Sequence, residues 1–210
     1  MKKALLCCAL AGAMSTAQAG VFIIDDFNTG DQSLSNSILG STVSDNNGIR
    51  TLSTTLTAAT QPIRSEAIVS NDHLDIMNGV GENSVVSVLW NLPPITLPAN
   101  ITNLSFIFEI LDSDGNPTNV SIKLNSSTIF TSAIPANAQG LVSSVPISAA
   151  LISGGGTFEL LISGAAGWDM SIDAFGISWT DPTPSVPEPA SATLAALGLA
   201  TLAALRKRKS

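Results

Sequence analysis

Between residues 20 and 180 the chain reads as an all-β sandwich. Short apolar or alternating runs recur through this segment, Gly, Pro, Asn and Asp punctuate them, and no stretch of ten residues carries a helical period. Cys7 and Cys8 are the only cysteines and precede this segment, so its stability rests on a packed core rather than on disulfides. Residues 20–185 are enough chain for a single such core.

The elements follow in order. Residues 21–27 open with β-branched and aromatic side chains, and residues 49–57 continue with Leu spaced among Thr and Ser. Residues 67–70 and 85–90 are short apolar runs, and residues 104–111 are strongly apolar with Glu109 inside them. Val120-Ser121-Ile122-Lys123-Leu124 alternates with period two, which gives one wet and one dry face. Residues 128–131, 141–147 and 158–163 are further candidates, and residues 170–179 close the series with the alternating Ile172-Asp173-Ala174-Phe175-Gly176-Ile177-Ser178. Residues 147–152 suit one helical turn. Asp112-Ser113-Asp114-Gly115-Asn116-Pro117 predicts a tight hairpin with a left-handed residue at Gly115. Gly154-Gly155-Gly156 lacks the following helix and Lys of a phosphate cradle, and reads as a turn.

Both ends are targeting segments. Lys2 and Lys3, the apolar stretch 4–14 and the small-residue site Ala17-Gln18-Ala19 predict a signal peptide over residues 1–19, removed by signal peptidase before Gly20. Leu6 before Cys7 is too large for lipid attachment, so both cysteines read as part of the apolar core of the leader. At the other end Val186-Pro187-Glu188-Pro189 precedes an apolar stretch, 190–205, and a basic end, Arg206, Lys207, Arg208 and Lys209. Sixteen helical residues span roughly 24 Å against a hydrocarbon core of about 30 Å, and snorkelling by the basic end extends that reach. The expectation is a single transmembrane helix with the basic end inside and everything before Pro187 outside. Residues 181–186 form a Pro-rich, extended linker.

The Pro-Glu-Pro triplet, the apolar segment and the basic end over residues 187–210 resemble the PEP-CTERM sorting signal of bacterial exported proteins, which an exosortase processes. The resemblance implies that such an enzyme recognises Val186, Pro187, Glu188 and Pro189, while Arg206 to Lys209 hold the helix in the inner membrane. It implies transient anchorage, then the cell surface or extracellular matrix. A permanent tail anchor in the envelope is the alternative. The Asp25-Asp26-Phe27 near the mature start and Ile172 to Ile177 before the linker resemble the jelly-roll ectodomains found with this tail. That resemblance places the first and last strands side by side.

Charge narrows the partners. Residues 20–185 carry fifteen acidic side chains against Arg50, Arg64 and Lys123, a formal charge of −12, whereas the whole chain is at −7 because its ends are basic. A field of that sign argues against nucleic acid, anionic lipid and phosphate-rich polymer as direct partners, and leaves cations and neutral polymers, an exopolysaccharide among them.

Candidate chemistry is sparse. The one His, His73, lies between Asp72 and Asp75 at the start of what reads as an edge strand, with no nucleophile elbow and no mature Cys, which argues against both a triad and a zinc site. Glu109 and Glu159 are the acids within strands that a small secreted polysaccharide hydrolase would need to bring together. Asp112, Asp114 and Asn116 alternate like the first ligands of a calcium loop, without its closing Glu, and Asp25, Asp26 and Asp173 form a second acidic group if the end strands pair. Calcium is the one cofactor these residues suit. Trp168 follows Gly164-Ala165-Ala166-Gly167, a loop setting in which an indole stacks on a sugar face. The reading is a non-enzymatic, exported surface or matrix protein with a structural, adhesive or glycan-binding ectodomain.

Overall fold

The computed structural model describes residues 19–181, which form one compact unit. In chain order its strands are β1 (Ala19–Asp25), β2 (Gln32–Ser35), β3 (Gly40–Asp45), β4 (Thr51–Ala58), β5 (Glu66–Ser70), β6 (His73–Met77) and β7 (Asn83–Leu92). There follow β8 (Thr102–Ser113), β9 (Thr118–Leu124), β10 (Ser127–Ile134), β11 (Gly140–Ser143), the single helical turn α1 (Ala149–Ile152), β12 (Gly156–Gly164) and β13 (Met170–Thr180). One sheet runs β11-β8-β13-β6-β5-β2, with β1 also on β13; the other runs β10-β9-β12-β7-β4-β3.

The pairing from β6 onward is nested. β6 lies against β13, β7 against β12, β8 against β11 and β9 against β10, all antiparallel. This half of the chain is one long hairpin rolled up, and the β13–β8 and β12–β9 ladders are the contacts made as it rolls. That is the jelly-roll arrangement, and the expected fold class holds. The first and last strands pair as expected, from Ala19 opposite Thr180 to Asp25 opposite Phe175.

Alternation explains the layers. β4, β5, β6, β7, β9 and β12 bury every second side chain, so each sheet turns one apolar face inward. The aromatic residues bridge the two faces: Trp90 of β7 stacks on Phe175 of β13 at 4.9 Å, Phe175 on Phe106 of β8 at 5.8 Å, and Phe106 meets Phe158 of β12 edge-on at 5.8 Å. Such pairs add about 0.5–1.5 kcal/mol each beyond burial.

Three expectations need correction. Residues 112–117 do not close a hairpin: β8 and β9 belong to different sheets, so this connection is a corner of the sandwich, and Gly115 is not left-handed. Turn-forming residues signal a reversal but not which sheet the chain enters next. His73 to Met77 is not an edge strand, since β13 and β5 flank it. Residues 141–147 shorten to β11, because Pro146 has no N–H to donate; the Ser144 and Ile147 amides nonetheless bond to the Phe106 and Leu104 carbonyls.

Candidate functional site

β4, β6, β8 and β12 all finish at one end of the sandwich, opposite the end where β1 starts and β13 finishes. The connections 59–65, 78–82, 114–117 and 165–169 therefore gather there. Glu82 ties three of them together. Its side chain is fully buried, Oε1 accepts the Arg64 N–H at 2.6 Å, Oε2 accepts the Gly79 N–H at 2.7 Å, and its carbonyl accepts the Gly167 N–H at 2.7 Å. Asn78 adds a second tie: its N–H donates to Asp169 Oδ1 at 2.6 Å, its Nδ2 donates to the Trp168 carbonyl, and its Oδ1 accepts from Ser65 at 3.1 Å.

The ties hold open a groove of about 680 Å³. Gln61, Arg64, Glu66 and Asp169 supply its polar groups, and Pro62, Met77 and Val80 its apolar surface. Among the described residues Arg50 pairs with Asp25 at 2.8 Å and Lys123 with Glu159 at 3.1 Å, while Arg64 has no ion-pair partner. A free guanidinium beside carboxylates and amides offers planar hydrogen-bonding groups of both polarities. A smaller hollow of about 330 Å³ adjoins the groove at Met77 and Asp169 and is lined by Asp75, Asp112 and Asp114.

Asp169 is electrostatically the most perturbed of these groups. Burial raises its carboxyl above the ordinary 3.8, the Asn78 N–H opposes the rise, and the charge of Asp114 adds to it. A raised acid binds its proton more tightly in the fold than in the unfolded chain. Its contribution to stability is thus best below 3.8 and declines as pH climbs through the raised value. Asp169→Asn keeps an acceptor for Asn78 and removes the titration, so its stability relative to the native domain should improve as pH rises from about 3 to about 6. Thermal melts of both proteins across that range check the sign.

The residues singled out in the sequence fall in diverse places. Trp168 is no exposed platform: its ring is fully buried, and Nε1 donates to the Ser84 carbonyl at 3.2 Å. The short loop folds it inward, over the space a side chain at Gly164 would need. Asp112 and Asp114 line the smaller hollow, and Asn116 lies against Asp114. Asp114 accepts the Asn116 N–H at 3.0 Å and the Asn116 Nδ2 at 2.7 Å, Asn116 also donates to the Gly167 carbonyl at 2.9 Å, and Asp112 accepts from Gln139 at 3.3 Å. These hydrogen bonds brace the corner. Among the described residues no three His, Cys, Asp or Glu side chains converge as metal ligands. Asp25 is engaged by Arg50, and Asp26 accepts from the Asn28 N–H and Nδ2, so the second acidic group with Asp173 does not form either.

Glu109 and Glu159 belong to different sheets and lie on their outward faces, with the core between them, which removes them as a catalytic pair. His73 holds the Asn71 carbonyl at 2.7 Å with Nδ1 and Asp75 at 2.9 Å with Nε2. Ala19 and Gly20 open β1. Ala17, the leader, the linker beyond Asp181, Val186 to Pro189, the apolar segment 190–205 and the basic end lie outside the described residues. Among the described residues no helix is long and apolar enough to cross a membrane. The role of Glu82 was not legible beforehand; its only signal is an acid set among glycines in Asn78-Gly79-Val80-Gly81-Glu82.

Comparison with known proteins bears on the C-terminal end. Residues 185–209 match the PEP-CTERM protein-sorting motif, which marks an exported protein. No curated protein matches the chain. Among solved structures it is similar to the CBM36-1 domain of a multidomain xylanase from the hindgut metagenome of Trinervitermes trinervoides, with 21% identity over 59% of this chain and 95% of that one and a TM-score of 0.33. TmCBM61 in complex with β-1,4-galactotriose is 10% identical over 59% of this chain and 86% of that one, TM-score 0.33. The family 11 carbohydrate-binding module from Clostridium thermocellum, in complex with a β-1,3-1,4-mixed-linked tetrasaccharide, is 10% identical over 78% and 96%, TM-score 0.34.

Proposed function

We propose that this chain is a cell-surface or extracellular-matrix protein, sorted through its tail, whose non-catalytic ectodomain binds glycan in the groove between the 59–65 and 78–82 connections. The match of residues 185–209 to the sorting motif carries the first half. The groove supports the second: Gln61, Arg64, Glu66 and Asp169 present donors and acceptors of the kind hydroxyl groups need, beside the apolar surface of Met77 and Val80. No aromatic side chain lines the groove, so recognition there rests on hydrogen bonds rather than on ring stacking. The net charge of −12 over residues 20–185 directs the preference to neutral or amino-bearing polymers. Exosortase recognition of Pro187-Glu188-Pro189 would release the mature chain from its transient anchor.

Titration of the mature protein against a panel of soluble polysaccharides should show binding in the micromolar to millimolar range, weakened about tenfold or more by Gln61→Ala or Arg64→Ala. Absence of binding to every polymer removes the glycan role and leaves the structural one. Release of reducing ends by the native protein but not by Glu66→Gln or Asp169→Asn would establish a hydrolase instead. Intact mass of the protein recovered from the envelope and from the medium tests the sorting half: a mature product found only in the envelope with residues 190–210 retained is a permanent tail anchor.

A further inference from the structure

The sequence contains two Asn-Gly pairs, and the fold holds them in opposite ways. Asn47-Gly48 is the tip of the β3–β4 hairpin. The Ile49 N–H donates to the Asn46 carbonyl at 2.8 Å, with φ 46° at Asn47 and φ 80° at Gly48, which is a turn of type I′. Both residues are exposed, and a Cβ on Gly48 would meet nothing within 4 Å. Among the described residues no hydrogen bond holds the Asn47 side chain or the Gly48 N–H. Asn78-Gly79, after β6, is held at every group that could react. Asn78 Nδ2 donates to the Trp168 carbonyl, Oδ1 accepts from Ser65 at 3.1 Å, and the Gly79 N–H donates to Glu82 Oε2 at 2.7 Å. The carboxylate lies so close that a Cβ on Gly79 would stand 2.8 Å from Glu82 Oε1.

We propose that Asn47 is a site of spontaneous covalent modification, converting to Asp and isoAsp in the folded protein, and that Glu82 shields Asn78 from the same reaction. The backbone nitrogen of the following residue attacks the Asn side-chain carbonyl carbon. A Cγ–N bond forms, the Cγ–Nδ2 bond breaks, and ammonia leaves with the amide proton. Water then opens the succinimide at either carbonyl, leaving Asp or an isoAsp whose main chain runs through Cβ. Glycine favours the attack because it carries no side chain in the way and reaches unusual dihedrals at little cost. At Gly48 the attacking nitrogen is free and solvent water is at hand. At Gly79 the N–H is spent on a carboxylate and the Asn78 amide is fixed at both its nitrogen and its oxygen, so reaction must await local opening of the 78–82 connection. The new carboxylate at 47 follows Asp45, at the end of the sandwich away from the groove, and adds one negative charge to an already acidic domain.

The full chain, purified in detergent and aged in mildly alkaline buffer, tests this by peptide mass mapping together with methylation by an isoaspartyl methyltransferase. In the folded protein Asn47 should convert at least ~tenfold faster than Asn78, whereas in urea beyond the unfolding midpoint the two should convert within about twofold of each other. Glu82→Ala should raise the Asn78 rate at least ~tenfold and leave Asn47 unchanged. Asn47 that stays intact in the folded protein overturns the proposal, whether or not it converts in urea. Asn78 converting as fast as Asn47 in the fold overturns the shielding, as does an Asn78 rate unmoved by Glu82→Ala. Should that variant fail to fold, the native chain in urea below its midpoint supplies the contrast: an Asn78 rate that climbs while Asn47 holds steady supports the shield, and a flat Asn78 rate overturns it.

Discussion

Asp25→Ala is expected to lower the stability of the domain by about 3–5 kcal/mol, read as a shift of the urea midpoint at unchanged slope. Asp25 and Arg50 form a buried ion pair at 2.8 Å, with the two side chains 4% and 0% exposed. The pair is fully hydrogen-bonded: Asp25 Oδ2 also accepts the Trp90 indole N–H at 2.6 Å, Oδ1 accepts the Phe27 N–H at 2.9 Å, and the guanidinium donates to the Thr29 carbonyl and lies 5.5 Å from the centre of the Phe27 ring. Removing the carboxylate strands a buried cation and two donors at once. Arg50→Met should cost a similar amount by stranding the anion. Replacing both, Asp25→Leu with Arg50→Met, should recover only part of the loss. The ion-pair desolvation then vanishes, but the Trp90 and Phe27 donors stay unpaired at about 1–3 kcal/mol each. Full recovery in the double variant would show that those donors find other acceptors.

Glu82→Ala should cost less, about 2 kcal/mol, but should also abolish binding in the groove. It removes the acceptor of the part-buried Arg64 and Gly79 amides, at up to about 1 kcal/mol each, and unties the two connections that form the groove walls. Glu82→Gln offers one acceptor and turns an amide nitrogen toward the other N–H, so its loss should be intermediate. Denaturant melts and polysaccharide titration on the same samples separate the two effects. A variant that is destabilised yet still binds would move the ligand away from this groove.

The sandwich was legible because inner strands such as Val120 to Leu124 alternate strictly, and because a buried face writes itself into the sequence; Ile172 to Ser178 alternates in sequence, but a register shift between Ile172 and Phe175 buries Phe175, Gly176 and Ile177 in succession. β2 and β3 were not. Each lies at the margin of a sheet, and between them Leu34 and Val43 are the only large apolar side chains, so polar Ser and Thr hide the strand. Trp168 shows a second blind spot: a glycine-flanked loop indicates freedom of the backbone, not the direction in which the following side chain turns. The acids at 112–116 show a third, since Asp and Asn oxygens that could hold a cation serve equally to satisfy their own turn. The groove itself depends on residues drawn from positions 60 to 169, and no local pattern announces such a meeting.

The rolled pairing carries a consequence for synthesis. The last strand made, β13, is the interior keystone of its sheet, with β8 on one side and β6 and β1 on the other. The β2-β5-β6 and β8-β11 groups can pair beforehand, but only β13 joins them and seats β1, which makes closure slow and leaves greasy surfaces uncovered until the ribosome has nearly finished. A message broken anywhere before codon 180 therefore yields a polypeptide that is both unsealed and without its address.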